Sequence, residues 1–253
     1  MIRKKAWIAG ILLVSMLAGC TPPAEDTDAN SDSSPVSHAA SSDAAVSEPQ
    51  EPVIPAPPAD EQTFVRVCDY IPDILVDLRY ATTNNFTGTV IYAYQEAWLR
   101  YATVRKLAAA QEQLKAQGYQ LCIWDAFRSA QSQQTLWDVY PDGNYVANPA
   151  NGYSGHTRGD TVDVTLVTLD GEPVEMPSGF DDFSALADRN YEDVSAIAAD
   201  HAALLESVMS ACGFVGYEKE WWHYSDQDRA EPDRKSTRLN SSHHQVSRMP
   251  SSA

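Results

Sequence analysis

Ser154-Gly155-His156-Thr157-Arg158-Gly159-Asp160-Thr161-Val162-Asp163 and, further along, Glu220-Trp221-Trp222-His223 are the two stretches from which this chain is best read. Together they supply two imidazoles, a carboxylate placed to join them, and a second carboxylate three residues before the last imidazole. Three protein ligands that leave one position for water, beside a free carboxylate to take its proton, form the donor set of a catalytic zinc site. His156 lies in a glycine-flanked loop and Asp163 in a strand-like run. Alternation there puts Val162, Val164 and Leu166 on one face and Asp163 and Thr165 on the other. An inward-facing aspartate costs several kcal/mol unless something pairs with it, and a metal is a natural partner. Asp160 is the alternative ligand. Glu220 and His223 are three apart, so a regular strand would point them to opposite faces. If both reach one metal, a bulge or turn must lie between them.

Working outward, residues 161–169 read as a strand and Asp170-Gly171 as a hairpin turn. Residues 119–124 read as a buried strand leading into Asp125-Ala126-Phe127-Arg128, with a short helix expected over 129–139. Residues 94–117 predict a helix, with Trp98, Tyr101, Leu107 and Leu114 near one stripe and Gly118 as its cap. A second helix is expected over 192–212, with Val194, Ile197, Leu204, Leu205 and Val208 inward and Gly213 as cap. His201 falls on that stripe and reads as a core or rim histidine. Residues 64–78 suggest one or two short strands, and 214–217 a last strand running toward Glu220. Two long helices among short strands argue for a single α+β domain, an antiparallel sheet flanked by helices with the site on the sheet.

The ends are of a different kind. Arg3, Lys4 and Lys5 precede an apolar run over 8–17, too short to span a bilayer comfortably. The run closes on Leu17-Ala18-Gly19-Cys20, which resembles a bacterial lipoprotein cleavage box. Residues 1–19 are thus expected to be a signal peptide, with lipid on Cys20. Residues 20–60 are rich in Ser, Ala, Pro, Asp and Glu and are expected to be a disordered tether. The tether would let a domain at 61–232 stand off the surface of a bacterial membrane, outside the cytoplasm. Residues 233–253, including Asp233-Arg234-Lys235-Ser236-Thr237-Arg238-Leu239 and Ser247-Arg248-Met249-Pro250, resemble a translated sequencing adapter. That tail is expected to be non-native, and His243 and His244 are excluded from any metal argument.

The net charge of −17 argues against polyanionic partners such as nucleic acid and favours a neutral or zwitterionic substrate. Apart from Cys20, three cysteines (Cys68, Cys122, Cys212) show no Cys-x-x-Cys spacing and read as buried free thiols. An oxidising compartment leaves a disulfide open, with no pair named by the sequence.

The motifs in their order carry a family resemblance. Arg79-Tyr80-Ala81-Thr82, Asn85-Phe86-Thr87-Gly88, Gly118-Tyr119 and Trp124-Asp125-Ala126-Phe127-Arg128 come first. The Ser-x-His-x-x-Gly-x-x-x-Asp segment from Ser154, Phe180-Asp181 and Glu220-Trp221-Trp222-His223 follow. Over 71–224 this resembles the VanX-type D-alanyl-D-alanine dipeptidases, within a wider zinc peptidase group that includes D,D-carboxypeptidases. The resemblance implies one zinc ion per domain on His156, Asp163 and His223, with Glu220 as general base and acid. It implies Arg128 stabilising the oxyanion, and Asp181, Tyr80 and Ser154 holding the dipeptide termini. The doubled aspartate leaves Asp182 as an alternative to Asp181, and a plain ion pair with Asp125 is the lesser alternative for Arg128. The best-known members act in the cytoplasm, whereas this chain carries an export signal. The compact stretch between Arg128 and His156 leaves room for a D,D-carboxypeptidase acting on peptidoglycan stem peptides. A non-catalytic module that binds cell-wall peptides is the reading from another class.

Overall fold

The computed structural model describes residues 52–228 apart from Asn144. The signal segment, Cys20, most of the tether and the tail 233–253 lie outside the described residues. Residues 52–60, the described end of the tether, form no helix or strand and are almost all exposed. Among the described residues no helix is long and apolar enough to cross a membrane.

The alternation over 64–78 resolves into β1 (Phe64–Arg66), a single-turn α1 (Val67–Tyr70) and β2 (Leu75–Val76). β3 (Trp98–Arg100) then pairs antiparallel with β1, and α2 (Tyr101–Lys115) begins only where that pairing ends. The helix expected from residue 94 therefore starts seven residues late. Its first turns give way to tertiary partners: Phe127 N donates to Trp98 O at 2.9 Å and Arg100 N to Gly159 O at 2.9 Å. Those bonds are long-range, so local composition cannot report them. Within α2 the stripe is as expected, with Tyr101, Leu107 and Leu114 buried. Gly118, at φ 87°, turns the chain out of the helix.

β4 (Tyr119–Asp125), α3 (Ala130–Val139), α4 (Gly155–Arg158) and β5 (Thr161–Thr168) follow, and then α5 (Ala196–Ala211), β6 (Phe214–Tyr217) and β7 (Glu220–Asp226). The main sheet has the order β2-β4-β5-β7-β6. Its ladders are antiparallel except at one edge, where β2 runs parallel to β4, a departure from the all-antiparallel expectation. The chain returns from β2 to β4 through α2, and such a crossover delivers a parallel strand. After β5 the turn at Asp170-Gly171 closes with Gly171 N on Thr168 O (2.9 Å). The hairpin then shrinks to a single bridge between Val167 and Pro173.

α2 and α5 pack on each other and on the sheet. Their fully buried Leu107, Leu114, Leu205 and Met209 join Leu121, Ile123, Val162 and Val164 in one apolar cluster. α5 starts at Ala196, capped by the Ser195 side chain, and not at residue 192. Its buried face is Ala198, Ala202, Leu205, Val208 and Met209, while Ile197, expected inward, is 58% exposed. Leu205, Val208 and Met209 join the core cluster, and that helix phase turns Ile197 to solvent. Cys68, Cys122 and Cys212 are all free thiols.

Candidate active site

Two irregular strand pairings bring the polar groups together. β4 pairs with β5 in register from Tyr119–Thr168 to Ile123–Val164, and then slips so that Asp125 stands opposite Asp163. Without that slip Asp125 would share the apolar face of Ile123. On the other side of β5, Asp163 is paired directly with His223 of β7. Asp125, Asp163 and His223 therefore lie side by side across three strands.

The second irregularity lies in the β6–β7 pair. Gly216 faces Tyr224 but Tyr217 faces Glu220, so Trp221, Trp222 and His223 are extra residues on β7. This bulge brings Glu220 and His223 to the same place, with Glu220 Oε2 3.5 Å from His223 Nδ1. Trp221 and Trp222 anchor it from beneath, with exposures of 0% and 1%. Trp221 Nε1 also donates to Ser178 Oγ at 3.0 Å.

His156 sits on α4, a single helical turn rather than the loop expected. Ser154 caps that turn, its Oγ accepting from Thr157 N, and Gly159 ends it at φ 75°. Gly155 packs so tightly that an added Cβ would lie 2.2 Å from Thr161 Oγ1. The His156 Nδ1 is bonded to Ala126 O at 2.9 Å, which leaves Nε2 facing Asp163 Oδ2 at 3.4 Å.

The ligand atoms of His156, Asp163 and His223 all lie within 4.8 Å of one another. Asp163 Oδ1 is buried and makes no hydrogen bond, although His223 Nδ1 is only 2.9 Å away. A short contact without hydrogen-bond alignment, beside an imidazole whose other nitrogen is anchored on a carbonyl, suits donors that converge on a shared cation. The electrostatics agree. Burial alone would lower the His156 pKa, but the carboxylates of Asp163 and Asp125 raise it to about 9. The Asp163 carboxyl, against the desolvation of a fully buried position, is held well below the usual range by His156 and His223. The cluster is one that added positive charge would stabilise, and a divalent cation is such a charge.

Arg128 is buried and fully harnessed. Its Nε donates to Tyr92 Oη (3.1 Å), Nη1 to Gln133 Oε1 (3.1 Å) and Nη2 to Asp125 Oδ2 (2.5 Å). These bonds use three of the five N–H donors of a guanidinium. The group lies 5.0 Å above the Tyr80 ring, and the Tyr80 hydroxyl donates to Asp181 Oδ2 at 2.7 Å. The adjacent aspartates separate: Asp181 adopts a left-handed backbone (φ 54°) and turns inward, whereas Asp182 accepts from Ser184 N. Burial pushes the Asp181 carboxyl up to about 8, with the Tyr80 hydrogen bond opposing it, and burial raises Glu220 too. A cleft of about 370 Å³ opens beside Glu220, lined by Tyr145, Asp182, Phe183, Asp188 and Lys219. His201 is on the rim of the fold, bonded to Tyr119 Oη (3.2 Å) and Glu175 O (2.8 Å).

Against known families, residues 60–246 match the peptidase family described as D-ala-D-ala dipeptidase. The chain belongs to this family. It is 34% identical over 166 residues to the D-alanyl-D-alanine dipeptidase of Escherichia coli (strain K12), covering 66% of this chain and 86% of that one. It is 33% identical over 177 residues to the D-alanyl-D-alanine dipeptidase of Enterococcus faecium, covering 62% and 88%. Among solved structures, VanYB in complex with D-Alanine-D-Alanine is similar at a TM-score of 0.36 and 13% identity, over 60% of this chain and 85% of that one. Membership makes the chain a metallopeptidase.

Sequence reasoning about this dipeptidase-family chain missed Tyr92 and Gln133, which hold Arg128, and the second contact of Asp125, 3.5 Å from His156 Nδ1. Tyr92 and Gln133 sit in stretches without a motif. Their contribution exists only once β4 and α3 are placed.

Proposed function

We propose that this chain is a zinc-dependent D-alanyl-D-alanine dipeptidase that works outside the cytoplasm, anchored to a bacterial membrane by lipid on Cys20. The observation that carries the reading is the convergence of His156, Asp163 and His223 within 4.8 Å beside the unshared carboxylate of Glu220. The family membership and the names of the relatives support the substrate, and the Arg3–Cys20 segment supports the location.

His156, Asp163 and His223 would hold the zinc, which supplies Lewis-acid polarisation of the scissile carbonyl and lowers the pKa of the attacking water. Glu220 takes the proton from that water and passes it to the leaving amine. Its burial-raised pKa keeps the proton affinity such a shuttle needs. Arg128, fixed by three hydrogen bonds, presents positive charge where the carbonyl oxygen becomes anionic. Such preorganised donors are worth about 3–4 kcal/mol of barrier. Asp181, held by Tyr80, accepts the substrate ammonium, and that charge would draw its pKa back down. Ser154 contributes at the other terminus through whatever capacity its capping bonds leave.

Chelation followed by zinc titration, with free D-Ala-D-Ala and an acylated tripeptide ending in D-Ala-D-Ala as substrates, tests the reading. Dipeptide hydrolysis restored at one zinc per chain is the expected result. Hydrolysis of the longer peptide alone would transfer the chain to the D,D-carboxypeptidases. Full activity after chelation would end the metal reading.

A further inference from the structure

The bulge that carries Glu220 and His223 has its own clamp. Three carbonyls around it, those of Glu220, Trp221 and His223, converge on one nitrogen, Arg189 Nη2, at 3.2, 3.1 and 3.1 Å. Arg189 Nε donates to Tyr217 O at 2.8 Å, across the same register slip. The Arg189 Nη1 reaches Tyr224 Oη at 3.2 Å and Glu206 Oε2 at 3.3 Å, and the guanidinium lies 4.6 Å above the Tyr224 ring. Opposite it, Gly216 clears the space, since a Cβ there would fall 2.3 Å from Arg189 Cζ.

A bulge of three extra residues turns carbonyls away from the ladder, and buried carbonyls need donors. A single planar cation with five donors can satisfy several from one point, as an ammonium cannot. We propose that Arg189 is a positioning residue: it fixes the Glu220–His223 bulge and thereby sets the distance between the general base and the metal-binding imidazole. This assignment rests on the proposed roles of Glu220 and His223, while its structural half, the clamp on the bulge, does not. Its hydrogen bonds to Glu220 and His223 are to their carbonyls, so it acts through the backbone.

The test compares wild type with Arg189→Lys and Arg189→Met, and with Gly216→Ala, which displaces the guanidinium from the other side. Hydrogen exchange is measured on metal-free protein, together with zinc affinity, kcat and KM. Amide exchange at residues 220–223 should quicken at least tenfold in all three variants, with α2 and β4 unchanged. Zinc affinity should fall about tenfold and kcat at least tenfold, with KM within threefold because Asp181 and Tyr80 lie elsewhere. Glu206→Gln removes an ion pair and no carbonyl contact, so it should match wild type in every readout. Methylguanidine should restore part of the kcat of Arg189→Met and none of that of Gly216→Ala. If Arg189→Met fails to fold, the lysine and alanine variants decide. Unchanged exchange at 220–223 in folded variants overturns the clamp. Faster exchange with unchanged zinc affinity and kcat overturns the positioning role. A wild type that neither binds zinc nor hydrolyses peptide defeats the proposed function instead, and leaves the exchange result standing.

Discussion

Replacing Asp125 with asparagine removes one charge from the centre of the site without altering its shape. The carboxylate is 0% exposed and accepts from Tyr92 Oη at 2.5 Å, Arg128 Nη2 at 2.5 Å and Ala126 N at 2.8 Å. Asparagine keeps one acceptor but turns an amide NH₂ or a weaker oxygen toward a guanidinium that is itself only 7% exposed. Removing one partner of a buried ion pair costs about 3–5 kcal/mol, because the other charge is left uncompensated. Domain stabilities are about 5–15 kcal/mol, so roughly a fifth or more is at stake. With a urea slope of about 2 kcal/mol per molar, the unfolding midpoint should fall by about 2 M. Tryptophan fluorescence reads this directly, since Trp124, Trp221 and Trp222 are buried in the folded state. The decisive variant is the double one, Asp125→Asn with Arg128→Met. If the stranded cation causes the loss, deleting it should recover about 1.5 kcal/mol or more relative to the sum of the single losses. A single-variant loss below about 1 kcal/mol, or strictly additive losses, would refute the reasoning.

Three further outcomes follow from the same geometry. Glu220→Gln should lower kcat by about 10²–10⁴-fold while zinc stoichiometry stays at wild-type level; unchanged turnover would take Glu220 out of the mechanism. Burial pushes the folded Asp181 carboxyl up to about 8, against about 3.9 for an ordinary aspartate in the unfolded chain, so across that window the unfolded chain has lost a proton that the folded one keeps. Its contribution to stability is therefore full below pH 4 and falls as pH rises toward 8, by up to about 1.4 kcal/mol per pH unit. Metal-free Asp181→Asn should match wild type near pH 4 and exceed it at pH 8, and a stability gap that does not widen with pH would contradict this. Gly155→Ala drives a methyl into Thr161 Oγ1, which bonds Ser225 Oγ at 2.9 Å. It should cost about 1–3 kcal/mol and weaken zinc binding through His156, measured by thermal melts and metal titration; a melt and an affinity equal to wild type would show that α4 yields freely.

Local chemistry made part of this molecule legible without coordinates. Period-two alternation marked β5, and glycine and apolar spacing marked α3, the C-terminal end of α2 and the last turn of α5, because these depend on neighbours a few residues away. The types and spacing of His156, Asp163, Glu220 and His223 singled out side chains that the fold brings together, since an inward carboxylate and scarce histidines are features of composition. What the sequence left open were the relations between strands. A bulge between Glu220 and His223 followed from their spacing once both were assigned to one metal, but the slip that sets Asp125 beside Asp163, the parallel edge at β2 and the grip of Arg189 on four carbonyls each need a partner strand or loop far along the chain. Register is decided by which face gets buried and by which backbone groups find donors, and both are settled only when the sheet assembles. The face of α5 followed the same rule: Leu205, Val208 and Met209 join the core, and that phase buries Ala198 while leaving Ile197 exposed.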